Sequence, residues 1–274
     1  MIELPEAYTI SQDLKKELPS KEIVDVRGNF TDHKFTFYYG LPQEYRDLLV
    51  GRTVTGIKER NFYVEIEVGS YRILFRDGAN IRYYSAGAQE PKKSKLLLEF
   101  NDGSFLNTTV NMYACIAVFD SRQEMENIYY NLELTRIGAK DAAFTYGYFE
   151  GLVDERTAKL SAKAFLATEQ RILGIGNGVV QDILFNARIS PRTKIRDLSG
   201  QQFKSLYKAI TDTLDQMIAG RGRDTETDIY GESGRYVTIM SNKHYKSGCP
   251  ACKAPIRKES YLGGSVYYCP HCQK

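Results

Sequence analysis

Four cysteines near the C-terminus limit what this chain can fold into more than any other feature. Cys249, Cys252, Cys269 and Cys272 form a C-x2-C pair, a gap of sixteen residues, and a second C-x2-C pair. Each pair can grip one ion through a tight turn, and two pairs complete a tetrahedral thiolate site of the kind that holds structural Zn2+. The segment between them is too small to hold itself together by burial, so the metal would supply its folding energy. The tail is therefore expected to be a separate zinc-ribbon-like hairpin. Two disulfides are the alternative. The opening MIELPEAYTISQDL has neither a basic start nor an apolar core segment, so it is not a secretory signal. That points to a reducing cytoplasm, where structural disulfides are rare. His271, inside the last C-x2-C, is a competing ligand, expected to be a spectator because four thiolates already close the site. The fifth cysteine, Cys115, sits in the apolar run ACIAVF and is expected to pack in a core.

The chain has 274 residues, enough for two domains or for one large domain and a module. No apolar run approaches the length needed to cross a membrane. The net charge of +3 hides an asymmetry. Residues 1–159 carry 20 Lys and Arg against 24 Asp and Glu, a net of −4, while residues 160–274 carry 17 against 10, a net of +7. A basic excess confined to the C-terminal half fits a surface for nucleic acid there. A solvated basic face without a partner has the same composition.

LPEAYTISQDLKKEL reads as a helix, with Leu4, Tyr8, Ile10, Leu14 and Leu18 on one face and Pro5 in its first turn. From about residue 22 to 120 the pattern alternates with period two. Phe62, Val64, Ile66 and Val68 face one way, Tyr63, Glu65 and Glu67 the other. Gly69 and Ser70 make a two-residue hairpin turn, and NDG makes a second between LLLEF and SFLNTTV. Strands without intervening long helices predict an antiparallel β-sandwich. From about residue 124 the pattern turns helical, through MENIYYNLEL, AKDAAFTYGYFEGLV, LSAKAFLATEQRIL, VVQDILFNARISP and SGQQFKSLYKAITDTLDQMIAG, the last ending at Gly220. The polar, glycine-rich GRGRDTETDIYGESGR predicts a flexible loop. The expected class is multidomain α+β: a β-sandwich domain with its leading helix over 1–123, a helical domain over 124–240 and a four-cysteine finger over 241–274.

Two of those helices meet at ILGIGNGVV. Gly174, Gly176 and Gly178 let another backbone approach closely, and the helix that follows opens with free N–H groups and a positive dipole end. That is a phosphate site in the making, with Asn177 as helix cap or phosphate donor. An ordinary helical hairpin turn uses the same residues. Lys163, one helix upstream, is a further phosphate ligand or a plain surface lysine.

Taken together, these residues resemble the formamidopyrimidine-DNA glycosylase/endonuclease VIII (Fpg/Nei) family over nearly the whole chain. Glu3-Leu4-Pro5-Glu6 is similar to the family's opening E-L-P-E. Lys163 and Leu166 through Gly174, Gly176 and Asn177 are similar to its helix–two-turn–helix motif, with Leu184-Phe185 and Pro191 following at the family's spacing. Pro255-Ile256, Tyr268 and Gln273 around the cysteines are similar to its zinc finger. The resemblance implies a β-sandwich with a leading helix, a helical domain carrying the two-turn motif, and a zinc-bound hairpin. It implies double-stranded, damaged DNA held in a cleft, with the damaged base flipped out of the stack. The function it implies is DNA glycosylase/AP lyase chemistry in base excision repair, by a monomer associated with the bacterial nucleoid. In that chemistry an N-terminal proline, exposed by removal of the initiator Met, attacks the sugar C1′, and a neighbouring glutamate handles protons. An α-amine suits the role because its ordinary pKa near 8 leaves a neutral fraction.

This chain departs from that pattern at several positions. Ile2 stands where the proline is expected, and so bulky a second residue predicts that Met1 is retained. The amine then lies up to about 3.5 Å further along the chain. Met1 becomes the candidate nucleophile and Glu3 the candidate proton handler. Glu3 also has a structural reading, as an acid at a helix N-terminus. The family's sandwich lysine corresponds to Asn61, with Lys58 and Arg60 nearby. Its finger arginine corresponds to Gly264. Its void-filling residues correspond to the region of Met112 and Tyr113, which are either wedges or strand residues. Residues 220–234 lie where some members hold a base-recognition loop. The resemblance makes Lys163, Gly176 and Asn177 the DNA-binding candidates. A catalytically inactive damaged-DNA binder is the alternative function, and a zinc-stabilised scaffold for protein or RNA a third.

Overall fold

The computed structural model of the chain describes residues 1–29, 34–123 and 125–274. Residue 124, where the helical pattern was expected to begin, lies outside them. The chain divides into two compact units. One comprises Met1–Asn131 with Glu226–Gly234, the other Leu132–Thr225 with Arg235–Lys274.

The first unit is led by helix α1 (Leu4–Glu17), as the sequence pattern predicted. Pro5 sits in its first turn, and the Glu6 carboxylate reaches back to the Glu3 backbone N–H at 3.3 Å in a capping-box arrangement. Among the described residues seven strands follow, with a short helix α2 (Tyr45–Leu49) among them: β1 (Ile23–Gly28), β2 (Thr36–Tyr39), β3 (Val54–Glu59), β4 (Tyr63–Val68), β5 (Tyr71–Tyr84), β6 (Leu96–Phe100) and β7 (Phe105–Asp120). They form one hydrogen-bonded sheet in the order β1-β6-β7-β5-β4-β3. These pairings are antiparallel, and both expected hairpin turns are present, between β4 and β5 and between β6 and β7. The exception is β2, which pairs parallel to β7. The long β5 and β7 serve both halves of the sheet, and residues from both halves join α1 in one core.

The face of β4 expected to be polar is covered as well. Tyr63 and Glu65 are buried. Glu65 tolerates burial because Arg60 Nε (2.7 Å) and Arg72 Nε (3.4 Å) neutralise it and the Tyr130 hydroxyl donates to it at 3.4 Å.

In the second unit most helices are shorter than the periodicity suggested: α3 (Ile128–Thr135, which begins in the first unit), α4 (Tyr146–Gly151), α5 (Ala162–Ala167) and α6 (Val179–Asn186), followed by the longer α7 (Gly200–Ala219). The end of α5 has a visible cause. Glu169 and Gln170 take left-handed backbone conformations, and arginines satisfy the carbonyls released there. Arg171 donates to Phe165 O at 2.7 Å, and Arg136 to Glu169 O and Gln170 O at 2.9 and 2.8 Å. Helix α7 keeps its full predicted length. Ser199 and Gln202 cap it reciprocally, and Gly220 ends it. A hairpin of β8 (Arg257–Tyr261) and β9 (Gly264–Tyr268) closes the chain. No helix among the described residues is long and apolar enough to cross a membrane.

Candidate functional site

The candidate residues fall into two groups, one in each unit. In the first unit the terminal amine of Met1 is ion-paired with the carboxylate of Glu226. The next residue is pinned: the Ile2 N–H donates to Asp77 O at 2.6 Å, and its side chain is buried in the sandwich core. Glu3 is buried at the N-cap of α1. Asp77 lies beside Arg76, whose Nε is 3.0 Å from it. Burial pushes the Asp77 carboxyl up, against the pull of Arg76 and of the terminal ammonium. Arg76 in turn stacks over the Tyr129 ring at 4.1 Å. Burial, with the charge of Asp77 nearby, pushes the Tyr113 hydroxyl up.

The polar segment before the finger is not a loose connector over its central part. Arg82 donates to Asp228 O at 2.6 Å and to the Thr227 hydroxyl. Tyr83 N–H donates to Ile229 O at 2.9 Å, and Ile229 is fully buried in the sandwich core. Tyr230 hydroxyl donates to Glu17 at 2.6 Å. One isoleucine amid polar residues was the only signal in the sequence, and period analysis passes over a single apolar residue.

Met112 and Tyr113 do lie within β7, but at a break in its pairing. The register between β5 and β7 shifts between Asp77 and Ala79, and Met112 has a left-handed φ of 66°. Gly78 permits this, since a Cβ there would lie 1.9 Å from Asn111 O. Met112 is 72% exposed, far more than a strand residue with a packing role. Lys58 and Arg60 are both committed to strand β4, to Glu67 at 3.1 Å and Glu65 at 2.7 Å. Cys115 is half-buried, and burial pushes its thiol up.

In the second unit the glycine turn leads into α6, with Gly178 at the N-cap and no side chain capping it. Asn177 therefore does not cap the helix. Its Nδ2 donates to Ser265 O at 3.1 Å, while Oδ1 is buried without a partner. Gln181, one turn on, binds the same strand: its Nε2 donates to Ser265 O at 3.3 Å and its Oε1 accepts from Tyr267 N at 2.6 Å. Sequence reasoning missed Gln181, which lies in the first turn of α6, four residues after Asn177 in the turn that leads into it. Lys163 is buried, not a surface lysine. Its ammonium donates to Tyr261 O at 2.7 Å, and desolvation, with Arg192 nearby, lowers its pKa. Arg192 lies over the Tyr261 ring at 4.2 Å and pairs with Glu259 at 2.9 Å. Gly264 packs against Asn177, which a Cβ would meet at 3.3 Å.

The four cysteine sulfurs lie within 4.8 Å of one another. Cys249 and Cys272 are 3.7 Å apart and Cys252 and Cys269 3.5 Å. A disulfide needs about 2.05 Å. Thiolates at about 2.3 Å around one tetrahedral ion are separated by about 3.8 Å, so this donor set fits such an ion. The Ala254 backbone N–H holds the Cys252 thiol down to about 7, while its hydrogen bond to Cys252 pushes Cys272 up to about 12. His271 is not part of the cluster. Gln273 fastens the second cysteine pair, accepting from Cys269 N at 2.8 Å and donating to Ile189 O at 3.0 Å.

Comparison with known proteins points one way. Residues 139–228 match the formamidopyrimidine-DNA glycosylase H2TH domain. The chain is 26% identical over 286 residues to the formamidopyrimidine-DNA glycosylase of Lactococcus lactis subsp. cremoris, covering all of both proteins. It is 25% identical over 282 residues to that of Bacillus cereus, covering 100% of this chain and 99% of the relative. Among solved structures, that of the Lactococcus lactis enzyme with abasic-site DNA superposes with a TM-score of 0.82 at 22% identity, covering 99% of each chain. At that identity the likeness is one of fold.

Proposed function

Because the chain belongs to the formamidopyrimidine-DNA glycosylase/endonuclease VIII family, we propose that it binds damaged duplex DNA and acts there as a DNA glycosylase/AP lyase in base excision repair. It is a divergent member, with Ile2 in place of the catalytic proline. The observation that carries the reading is the state of the terminal amine. Met1 is partly exposed, anchored through Ile2, and set beside a carboxylate rather than packed away. A flipped-out base or an abasic sugar presents C1′, and an α-amine is the nucleophile such a carbon takes. Glu3, two residues further along the chain, is the proposed proton handler.

The second unit supplies binding. Gly176 lies just before α6, where the positive end of the helix dipole favours phosphate. Lys163 and Asn177 stand with it, holding the finger hairpin against the turn. Cys249, Cys252, Cys269 and Cys272 would hold one Zn2+, which supplies folding energy and no chemistry, since four thiolates leave no open position. The protein would work as a monomer on nucleoid DNA in the cytoplasm.

The test is borohydride trapping on a duplex with one abasic site, read by intact mass and by mapping of the modified peptide. The expected result is an adduct on Met1, lost by roughly a hundredfold in Glu3→Gln. A second reading, a damage reader without chemistry, is favoured by one observation: Ile2 is locked in the core, so the amine cannot shift towards the position a second-residue proline would hold. Tight, salt-sensitive binding of abasic DNA with no adduct and no base release would establish it.

A further inference from the structure

The partner of the terminal amine comes from 225 residues away. Such a contact needs both ends to be held, and both are. On one side the Ile2 N–H bonds to Asp77 O at 2.6 Å and the Ile2 side chain is buried. On the other, the loop carrying Glu226 is clamped by Arg82 at Thr227 and Asp228, anchored by buried Ile229, and closed on itself by Gly234 N–H to Glu226 O at 3.1 Å and Asp228 N–H to Glu232 O at 2.9 Å. The side chains of Met1 and Glu226 stay partly exposed, at 31% and 26%. Two fixed, partly exposed residues facing each other suit a reactive pair better than a structural ion pair. A partly exposed pair of this kind contributes little stability, so stability alone does not explain the clamping.

We propose that Glu226 is the general base that positions the Met1 amine and takes its proton, a role that rests on Met1 being the nucleophile. Of the neighbouring acids, Glu3 is buried at the helix cap and remains the proton handler on the sugar side, and Asp77 faces Arg76. On an abasic-site aldehyde the step balances. Glu226 accepts a proton from the ammonium, and the amine nitrogen bonds to C1′ to give a carbinolamine. The carbinolamine hydroxyl then leaves as water with the proton from Glu226. A protonated imine and a free carboxylate remain.

The charged groups around the amine are Glu226 on the loop, Asp77 and Arg76 on β5, and Glu3 at the start of α1, with Tyr113 on β7 as a titratable neighbour of Glu3 and Asp77.

The experiment compares wild type, Glu226→Gln and Glu226→Asp, as zinc-loaded full-length proteins whose intact mass shows Met1 in place. The readout is borohydride trapping on abasic duplex near neutral pH. The proposal expects trapping to fall at least about tenfold in Glu226→Gln, with partial recovery in Glu226→Asp. Trapping equal to or above wild type in Glu226→Gln, or no recovery in Glu226→Asp, overturns the role of Glu226 and leaves Met1 as nucleophile. No adduct in any variant overturns the nucleophile itself, and the base role with it.

Discussion

The two units build their sites by opposite means. In the second, a short motif does most of the work: two cysteine pairs, each closed by a local turn, bring four sulfurs within 4.8 Å. In the first, the amine of Met1, the bulge at Gly78 and the carboxylate of Glu226 come from three distant stretches, and each is held by contacts its own neighbours in sequence do not supply. A motif site depends on one binding event. An assembled site depends on many small contacts, and damage to any one is graded.

The largest test of that contrast removes one sulfur. Cys269→Ser leaves three thiolates and opens the tetrahedron. Structural zinc contributes on the order of 10 kcal/mol to modules of this size, so the finger is expected to unfold locally and lose its metal. Metal content by mass spectrometry under native conditions and amide exchange over 249–273 check it. Chelation of the wild type should reproduce the effect. A finger that stays protected without metal would show that Gln181, Gln273 and Lys163 hold it unaided, and the contrast would collapse.

Gly78→Val makes the matching cut in the first unit. Its Cβ would lie 1.9 Å from Asn111 O and 2.7 Å from Tyr113 O, so the backbone of β7 must move. Overpacking of this kind costs about 1–3 kcal/mol. The expected outcome is a lower Tm with the fold retained. Trapping at Met1 should also weaken, because Asp77, the partner of Ile2, adjoins the bulge. Loss of stability with trapping untouched would mean that the amine is fixed by Glu226 alone.

What could be read in advance follows the same division. The leading helix, both hairpin turns, the long α7 and the cysteine cluster were legible because spacing or period encodes them locally. The end of α5 was not, because Arg171 satisfies its Phe165 carbonyl from outside the helix and Arg136 those of Glu169 and Gln170 just beyond it. The burial of Lys163 was not, because its partner carbonyl is 98 residues away. Glu226 was not, because nothing in TETDIYG distinguishes it from any exposed acid until Ile229 is seen in the core.

Asp224 gives a smaller, pH-dependent test within the second unit. Burial pushes its carboxyl up, but hydrogen bonds from His244 (2.7 Å), Lys243 and Thr238 outweigh this and hold it well below the usual carboxylate range. A carboxyl depressed on folding contributes stability above its unfolded pKa of about 3.9, and that stability is lost as pH falls through the folded value. Asp224→Asn should therefore have a lower Tm than wild type at pH 6, and the gap should narrow below about pH 4. A gap independent of pH would mean that the hydrogen bonds matter and the charge does not.

The smallest expected effect is at Gly264, and it bears on whether the second unit is as self-sufficient as its motif suggests. The glycine has no left-handed requirement, and an added methyl would meet only the Asn177 side-chain amide, at 3.3 Å. The amide can yield by a few tenths of an ångström, so Gly264→Ala should cost less than about 1 kcal/mol. The shift would still press on the Asn177 Nδ2 bond to Ser265 O, a contact of about 1 kcal/mol. If that bond positions the glycine turn for phosphate, duplex affinity should drop severalfold while Tm barely moves. If affinity and Tm stay together, the bond is only a strut between finger and helix, and phosphate binding must rest on the backbone at Gly176.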